Sequence, residues 1–223
     1  MSRIHLALLT ILTVLTISAC KKTNADGPLM DAGKEAELLS TYFSAATTGI
    51  ISAADPLTYI FNSPLATKPS DEQIQNIISI SPSVDGIVTL SNNTILTFTP
   101  TEGFKPNTTY TITLNLKSLD GARFEKDITY SVRTFKQDLA VEPRGFIIND
   151  DGSVSMMAIV STADKAKVED IQKCFTSSAS STNVVELEAN RFQVEFVFKQ
   201  GMNSSTQITY DGSSLGSDTK GEV

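Results

Sequence analysis

The stretch Thr94–Leu116, which reads TILTFTPTEGFKPNTTYTITLNL, leaves the chain few options. Leu96 and Phe98 alternate with Thr97 and Thr99. After a turn built on Pro100, Gly103 and Pro106, Tyr110, Ile112, Leu114 and Leu116 alternate with Thr111, Thr113 and Asn115. A period of two describes strands with one apolar face and one wet face. Antiparallel sheets carry that pattern, and their apolar face needs a second sheet to cover it. The expected core therefore includes Phe98, and Pro106 belongs to the turn that brings the two strands together.

The neighbouring segments can supply that second sheet. Leu57, Tyr59 and Phe61 alternate with Thr58, Ile60 and Asn62, and Gly86–Leu90, Thr109–Lys117 and Asp127–Phe135 read as further strands. In the last of these Ile128, Tyr130 and Val132 share a face. Asn92-Asn93 and Asp120-Gly121 are hairpin-turn signals. Asp71–Ile78 suits a short helix or a turn before Ile78-Ser79-Ile80. Leu38–Ser44 suits an opening strand, the reading we favour, or the end of a short helix begun at Lys34-Glu35-Ala36-Glu37. About seven short strands at regular spacing with polar turns predict an all-β, immunoglobulin-like antiparallel sandwich over 38–136. Tyr110 stands at a strand start, where its hydroxyl can bond upstream backbone and close the sandwich corner, a structural role.

Charge and composition exclude more than they specify. Against 18 basic residues there are 25 acidic ones, a net charge of −7, so no positive field attracts nucleic-acid phosphates. His5 is the only histidine, and Cys20 and Cys174 are the only cysteines. If the first nineteen residues are removed, no histidine remains for a Ser-His-Asp or Cys-His arrangement or for a histidine-based zinc site. No cofactor, metal site or catalytic residue is expected, and the chain reads as a non-enzyme.

The N-terminus reads as an export signal. Arg3 supplies a positive charge, and Ile4–Ile17 (IHLALLTILTVLTI) is a run of fourteen mostly apolar residues, short for a membrane span and suited to a signal core. Ile17-Ser18-Ala19-Cys20 then resembles the bacterial lipoprotein box, in which an aliphatic residue and two small ones precede an invariant cysteine. The resemblance implies a signal peptide over 1–19, cleavage before Cys20, and acyl chains on Cys20 that hold the protein to the membrane. Lys21 after that cysteine, by likeness to enteric lipoproteins, favours the outer membrane. An ordinary secretory signal is the alternative. Lys21–Lys34, rich in Gly, Pro, Asp and Asn, reads as a flexible tether, giving a lipidated linker over 20–37.

A wider resemblance rests on Ile78-Ser79-Ile80-Ser81-Pro82, Leu96-Thr97-Phe98-Thr99-Pro100 and Phe104-Lys105-Pro106-Asn107-Thr108-Thr109-Tyr110, together with Asp55–Leu57 and Phe61–Leu65. These are similar to the bacterial Ig-like domains that begin α2-macroglobulin-type lipoproteins. Asn107 stands where that family's pattern has glycine. The resemblance implies a membrane-proximal module in a protease-defence context, followed by a macroglobulin-like β domain over 137–223, either truncated or free-standing.

In that second unit Val154, Met156, Ala158 and Val160 make one strand face and Met157 and Ile159 the other, which suggests burial on both sides. Thr162 or Asp164 can cap a short helix through Lys173, with Val168, Ile171 and Phe175 on one face. Val184–Leu187, Arg191–Lys199 and Thr206–Tyr210 read as strands, with Phe192, Val194, Phe196 and Phe198 aligned, and the tail from Gly212 reads as a frayed end or a strand stub. The family's bait region and Cys-x-Glu-Gln thioester motif are missing, since Cys174 is followed by Phe175-Thr176-Ser177. Cys174 reads as a buried helix-end thiol. Asn149–Gly152 clusters hard oxygens as a calcium loop would, but without further spaced carboxylates it reads as a hairpin turn. The functional expectation is a lipid-anchored, non-enzymatic envelope protein whose partners are the membrane and, beyond it, a periplasmic or surface protein. An Ig-like adhesion or glycan-binding module is the alternative.

Overall fold

The computed structural model describes residues 32–120, 123–199 and 207–223. Its first part comprises helix α1 (Ala32–Ser40), strands β1 (Phe43–Ala46), β2 (Gly49–Ile51) and β3 (Leu57–Phe61), helix α2 (Asp71–Gln75), and strands β4 (Ile78–Ser81), β5 (Gly86–Ser91), β6 (Ile95–Pro100), β7 (Thr109–Leu114) and β8 (Ile128–Thr134). Two four-stranded sheets face each other, ordered β1-β3-β6-β5 and β2-β8-β7-β4. The first strand is split: β1 pairs antiparallel with β3, and β2 crosses to the other sheet to pair parallel with β8. This is the antiparallel, Ig-like sandwich that the alternation requires.

The period-2 pattern decides which side chains meet between the sheets. Leu57, Tyr59 and Phe61 of β3 and Leu96 and Phe98 of β6 face Tyr110, Ile112 and Leu114 of β7 and Ile128, Tyr130 and Val132 of β8, all buried. Each such side chain contributes about 1.5–3 kcal/mol relative to an exposed one. Three phenols are among them, and two of these, Tyr59 and Tyr130, bond to each other. Tyr59 Oη lies 2.6 Å from Tyr130 Oη, and Tyr130 in turn donates to the Thr47 carbonyl at 2.9 Å. Burial pushes the Tyr59 phenol well above its ordinary range.

Local chemistry sets the ends of these elements. Asn92 and Asn93 both adopt left-handed backbone (φ 53° and 51°), and the Thr94 N–H closes the β5–β6 turn on the Ser91 carbonyl at 3.0 Å. Ser70 caps α2 by accepting from Gln73 N–H, while the Gln73 side chain accepts from Ser70 N–H. β7 stops at Leu114 rather than Lys117, because Leu116 turns into the core within a single 3-10 turn. The opening segment also differs from the favoured strand. Helix α1 continues through Ser40, buries Leu39, and hands over to β1 at Phe43. Lys, Ala, Glu and Leu between Lys34 and Leu39 are strong helix formers, and their propensity prevails where no neighbouring strand competes.

The second part comprises β9 (Leu139–Ile148), β10 (Val154–Thr162), helix α3 (Val168–Lys173), β11 (Phe175–Thr176), β12 (Ser181–Glu188), β13 (Arg191–Phe198), β14 (Thr209–Asp211) and β15 (Lys220–Glu222). One sheet is ordered β12-β13-β10-β9 and a smaller one β11-β14-β15. Phe192, Val194, Phe196 and Phe198 line the core face of β13 opposite Met156, Ala158 and Val160 of β10. On the other face of β10, Met157 and Ile159 are only half-buried, so that strand is covered fully on one side. Three further readings change. β9 was not foreseen at all. The tail beyond Gly212 is a 3-10 turn followed by β15, which pairs with β14. Finally, α3 starts at Val168 with Lys167 as its N-cap and no capping side chain, so neither Thr162 nor Asp164 caps it.

Candidate functional site

The loop between β6 and β7 is where the two parts meet. Tyr110 is buried, and its hydroxyl accepts from the Lys105 N–H at 2.9 Å. Phe104 packs against both Phe98 and Tyr110, with ring centroids 6.1 and 5.1 Å away, and its N–H donates to the Ala53 carbonyl at 2.8 Å. The Thr134 hydroxyl donates to the Lys105 carbonyl at 2.6 Å and accepts from Thr108 N–H at 2.9 Å. Asn107 adopts φ 49°, a left-handed value that asparagine tolerates better than most residues. Gly103 (φ 86°) passes so near the Ala53 carbonyl that a Cβ would stand 2.9 Å from its oxygen. The loop is thus a pinned platform.

Residues of the second part clasp this platform. Asp164, buried, accepts from Ala53 N–H at 2.7 Å through Oδ2 and from Lys165 N–H at 2.8 Å through Oδ1. Gln137, also buried, accepts from Asp164 N–H at 2.8 Å and donates to the Asp164 carbonyl at 3.2 Å. Lys165 Nζ is 2.6 Å from Asp55 Oδ1, and that hydrogen bond, with the carboxylate charge behind it, holds the ammonium above its ordinary pKa. Gly216 (φ 77°) brings its backbone against the Pro106 ring, where an added Cβ would lie 3.2 Å from Cγ. Charge-assisted bonds to a buried carboxylate and tight backbone contacts make this a directional joint.

Beside the joint lies an open cleft of about 450 Å³, with Glu102, Phe104 and Pro106 on one side and Lys167, Asp170 and Leu215 on the other. Its charges are of both signs, so it favours neither anions nor cations. Asp170 is paired with Lys173 at 2.8 Å. Cys174, at the end of α3, is 2 % exposed and lies 3.2 Å from Ser214 Oγ; burial pushes its thiol up, so the sulfur stays protonated at neutral pH. Asn149–Gly152 forms the β9–β10 turn, in which Asp151 accepts from the Ser153 N–H and hydroxyl. Among the described residues no group of three or more His, Cys, Asp or Glu is placed to hold a metal ion, and no helix is long and apolar enough to cross a membrane.

Of the residues singled out from sequence, Tyr110, Phe98 and Pro106 come together around this loop. Cys20 lies outside the described residues, as do the signal segment and most of the tether. Asp164, Gln137 and Asp55, which make the joint, were missed. Nothing local in the sequence pairs them, since Asp164 and Ala53 are 111 positions apart.

Residues 34–135 match the family described as bacterial Ig-like domain. No curated protein sequence matches the chain. Among solved structures, L,D-transpeptidase 3 from Mycobacterium tuberculosis in complex with a faropenem-derived adduct is 13% identical and aligns over 52% of this chain and 44% of its own, at a TM-score of 0.31. An L,D-transpeptidase from Mycobacterium smegmatis is 16% identical over 64% of this chain and 60% of its own, at a TM-score of 0.30. The chain thus spans less than half of the first of these. Scores this low carry no weight for either fold or activity.

Proposed function

We propose that a chain whose residues 34–135 form a bacterial Ig-like domain, preceded by Ile17-Ser18-Ala19-Cys20, is a lipid-anchored protein of the cell envelope. The lipoprotein box placed just ahead of that domain is the observation that carries the reading. Acyl chains on Cys20 hold the membrane, since each buried CH₂ contributes about 0.8 kcal/mol and more than one chain makes the anchoring stable. The tether gives reach, and the sandwich and the second β unit, clasped through Asp164 and Lys165, space or present what they carry without enzymatic chemistry. The outer membrane is the proposed location. In order of parts the chain corresponds to the membrane-proximal region of an α2-macroglobulin-type lipoprotein, a protease-defence context. For the adhesion reading the support is thin: Tyr59, Tyr110, Tyr130, Phe61, Phe124, Phe192 and Phe196 are fully buried, which leaves Phe135 and Phe146 as exposed aromatic side chains among the described residues.

Metabolic labelling tests the anchor. In a bacterial host fed radiolabelled palmitate, the wild-type chain should take up label and stay in the membrane pellet through a high-salt wash, and Cys20→Ser should take up none. An unlabelled wild-type chain overturns the proposal.

A further inference from the structure

We propose that β9 is a self-pairing edge through which two copies of this chain join their sheets. β9 is the terminal strand of its sheet, with β10 on one side. Among the described residues nothing pairs with its other side. Among the described residues, its second half carries an exposed apolar run, with Phe146 72%, Ile147 53% and Ile148 80% exposed. Phe146 and Ile148 stand on one face, opposite Met156 and Val154, and Ile147 stands on the other. An edge apolar on both faces is an association site unless it is covered.

The backbone selects the partner. Asn149 N–H donates to the Ser153 carbonyl at 2.9 Å, so the pair Asn149–Ser153 is hydrogen-bonded across the hairpin. Antiparallel pairs alternate, so Ile147–Ser155 is the next bonded pair, and Phe146 and Ile148 turn their N–H and C=O groups outward. A second β9, antiparallel and centred on Ile147, sets Phe146 of each copy opposite Ile148 of the other, so that all four outward residues form two bonded pairs. Ile147 then meets Ile147 on the opposite face. The occupant must be apolar on both faces at this spacing, and β9 itself meets that condition. Charge is compatible with the register: Arg144, bonded to Glu142 of its own strand at 2.6 Å, lies three positions before the centre and Asp150, in the β9–β10 turn, three after it, so the two-fold brings opposite charges together at both ends of the contact. Arg144 is also the extra residue of a bulge between Pro143 and Gly145; pairing with β10 resumes beyond it, but on the outer edge the bulge breaks the regular spacing and limits a contact with a second copy to the residues after it.

Disulfide trapping in the full chain tests this register. Ile147→Cys places two thiols in a non-hydrogen-bonded antiparallel pair, close enough to oxidise. Val185→Cys, exposed on β12 at the opposite edge, controls for random collision. Both positions lie on the surface, so folding is not at stake. Under mild oxidation in the expressing cells, Ile147→Cys should give a disulfide-linked dimer on non-reducing gels, severalfold more than Val185→Cys or the wild type. Adding Arg144→Glu should lower that yield, and Asp150→Arg on top of it should restore the yield. Equal yields from the two cysteine variants, no response to the charge changes, or a mixed disulfide with a different protein would each overturn the proposal.

Discussion

Tyr110 and Lys105 show how one hydrogen bond fixes a corner. The Tyr110 hydroxyl is the acceptor for the Lys105 N–H, inside a cluster that also holds Phe104 and Phe98. Tyr110→Phe keeps the ring and removes the acceptor, leaving a main-chain donor without its partner, which costs about 1–3 kcal/mol. We predict a lowered urea midpoint with an unchanged slope; an unchanged midpoint contradicts the role given to that hydroxyl. This residue was legible in the sequence because a tyrosine at a strand start after Pro-Asn-Thr-Thr occupies a recurring position in sandwiches. Asp164 was not legible. Its position two residues after a strand and four before a helix invites a capping role, whereas its partner lies in the other part of the chain, where local pattern gives no information.

Among the elements, the strands with clean alternation were read almost to the residue. β6 and β13 alternate without interruption, so the period-2 rule placed Leu96, Phe98, Phe192, Val194 and Phe196 correctly in their cores. β9 fails that rule. Pro143, the bulge at Arg144 and a largely exposed second half remove the alternation, and only its register with β10 reveals a strand. β15 is three residues of Lys, Gly and Glu, which carry no strand signal, and it exists because β14 offers it an edge. Its attachment is electrostatic in part. The Lys220 ammonium, 2.7 Å from Asp211 Oδ2, and the Ser213 N–H hold the Asp211 carboxyl at about 2. Hydrogen bonds from Thr219 and Leu139 hold Asp138 low, those from Ser153 hold Asp151 low, and those from Ser155 and Asn183 hold Glu195 low. A carboxylate with a depressed folded pKa adds stability above its unfolded value, and that stability is lost as pH falls through the folded one. All four lie beyond Gln137, so we predict that lowering the pH from about 4 to about 2 loosens the second part. Because these groups are exposed, added salt should shrink the effect. Pepsin in that range should cut first beyond Gln137, as mapped by peptide mass; first cuts within 43–134 would contradict the assignment.

As a whole molecule, the chain is two β units joined side by side rather than beads on a string. The first unit's Phe104 platform receives the second unit's Asp164, Lys165 and Gly216, and Gln137 bridges the crossing point. Such a joint fixes the orientation of one unit relative to the other. The sandwich was legible from composition and period, and the joint was not, because it is built from hydrogen bonds between distant residues rather than from a hydrophobic pattern. The central claim is that this assembly is held at a bilayer through the sulfur of Cys20. Mass spectrometry of the N-terminal peptide from protein extracted from bacterial membranes tests it most directly. The account predicts a chain beginning at Cys20 whose mass carries a diacylglyceryl group and a further acyl chain. An unmodified cysteine at that position, or a mature N-terminus elsewhere, would contradict it.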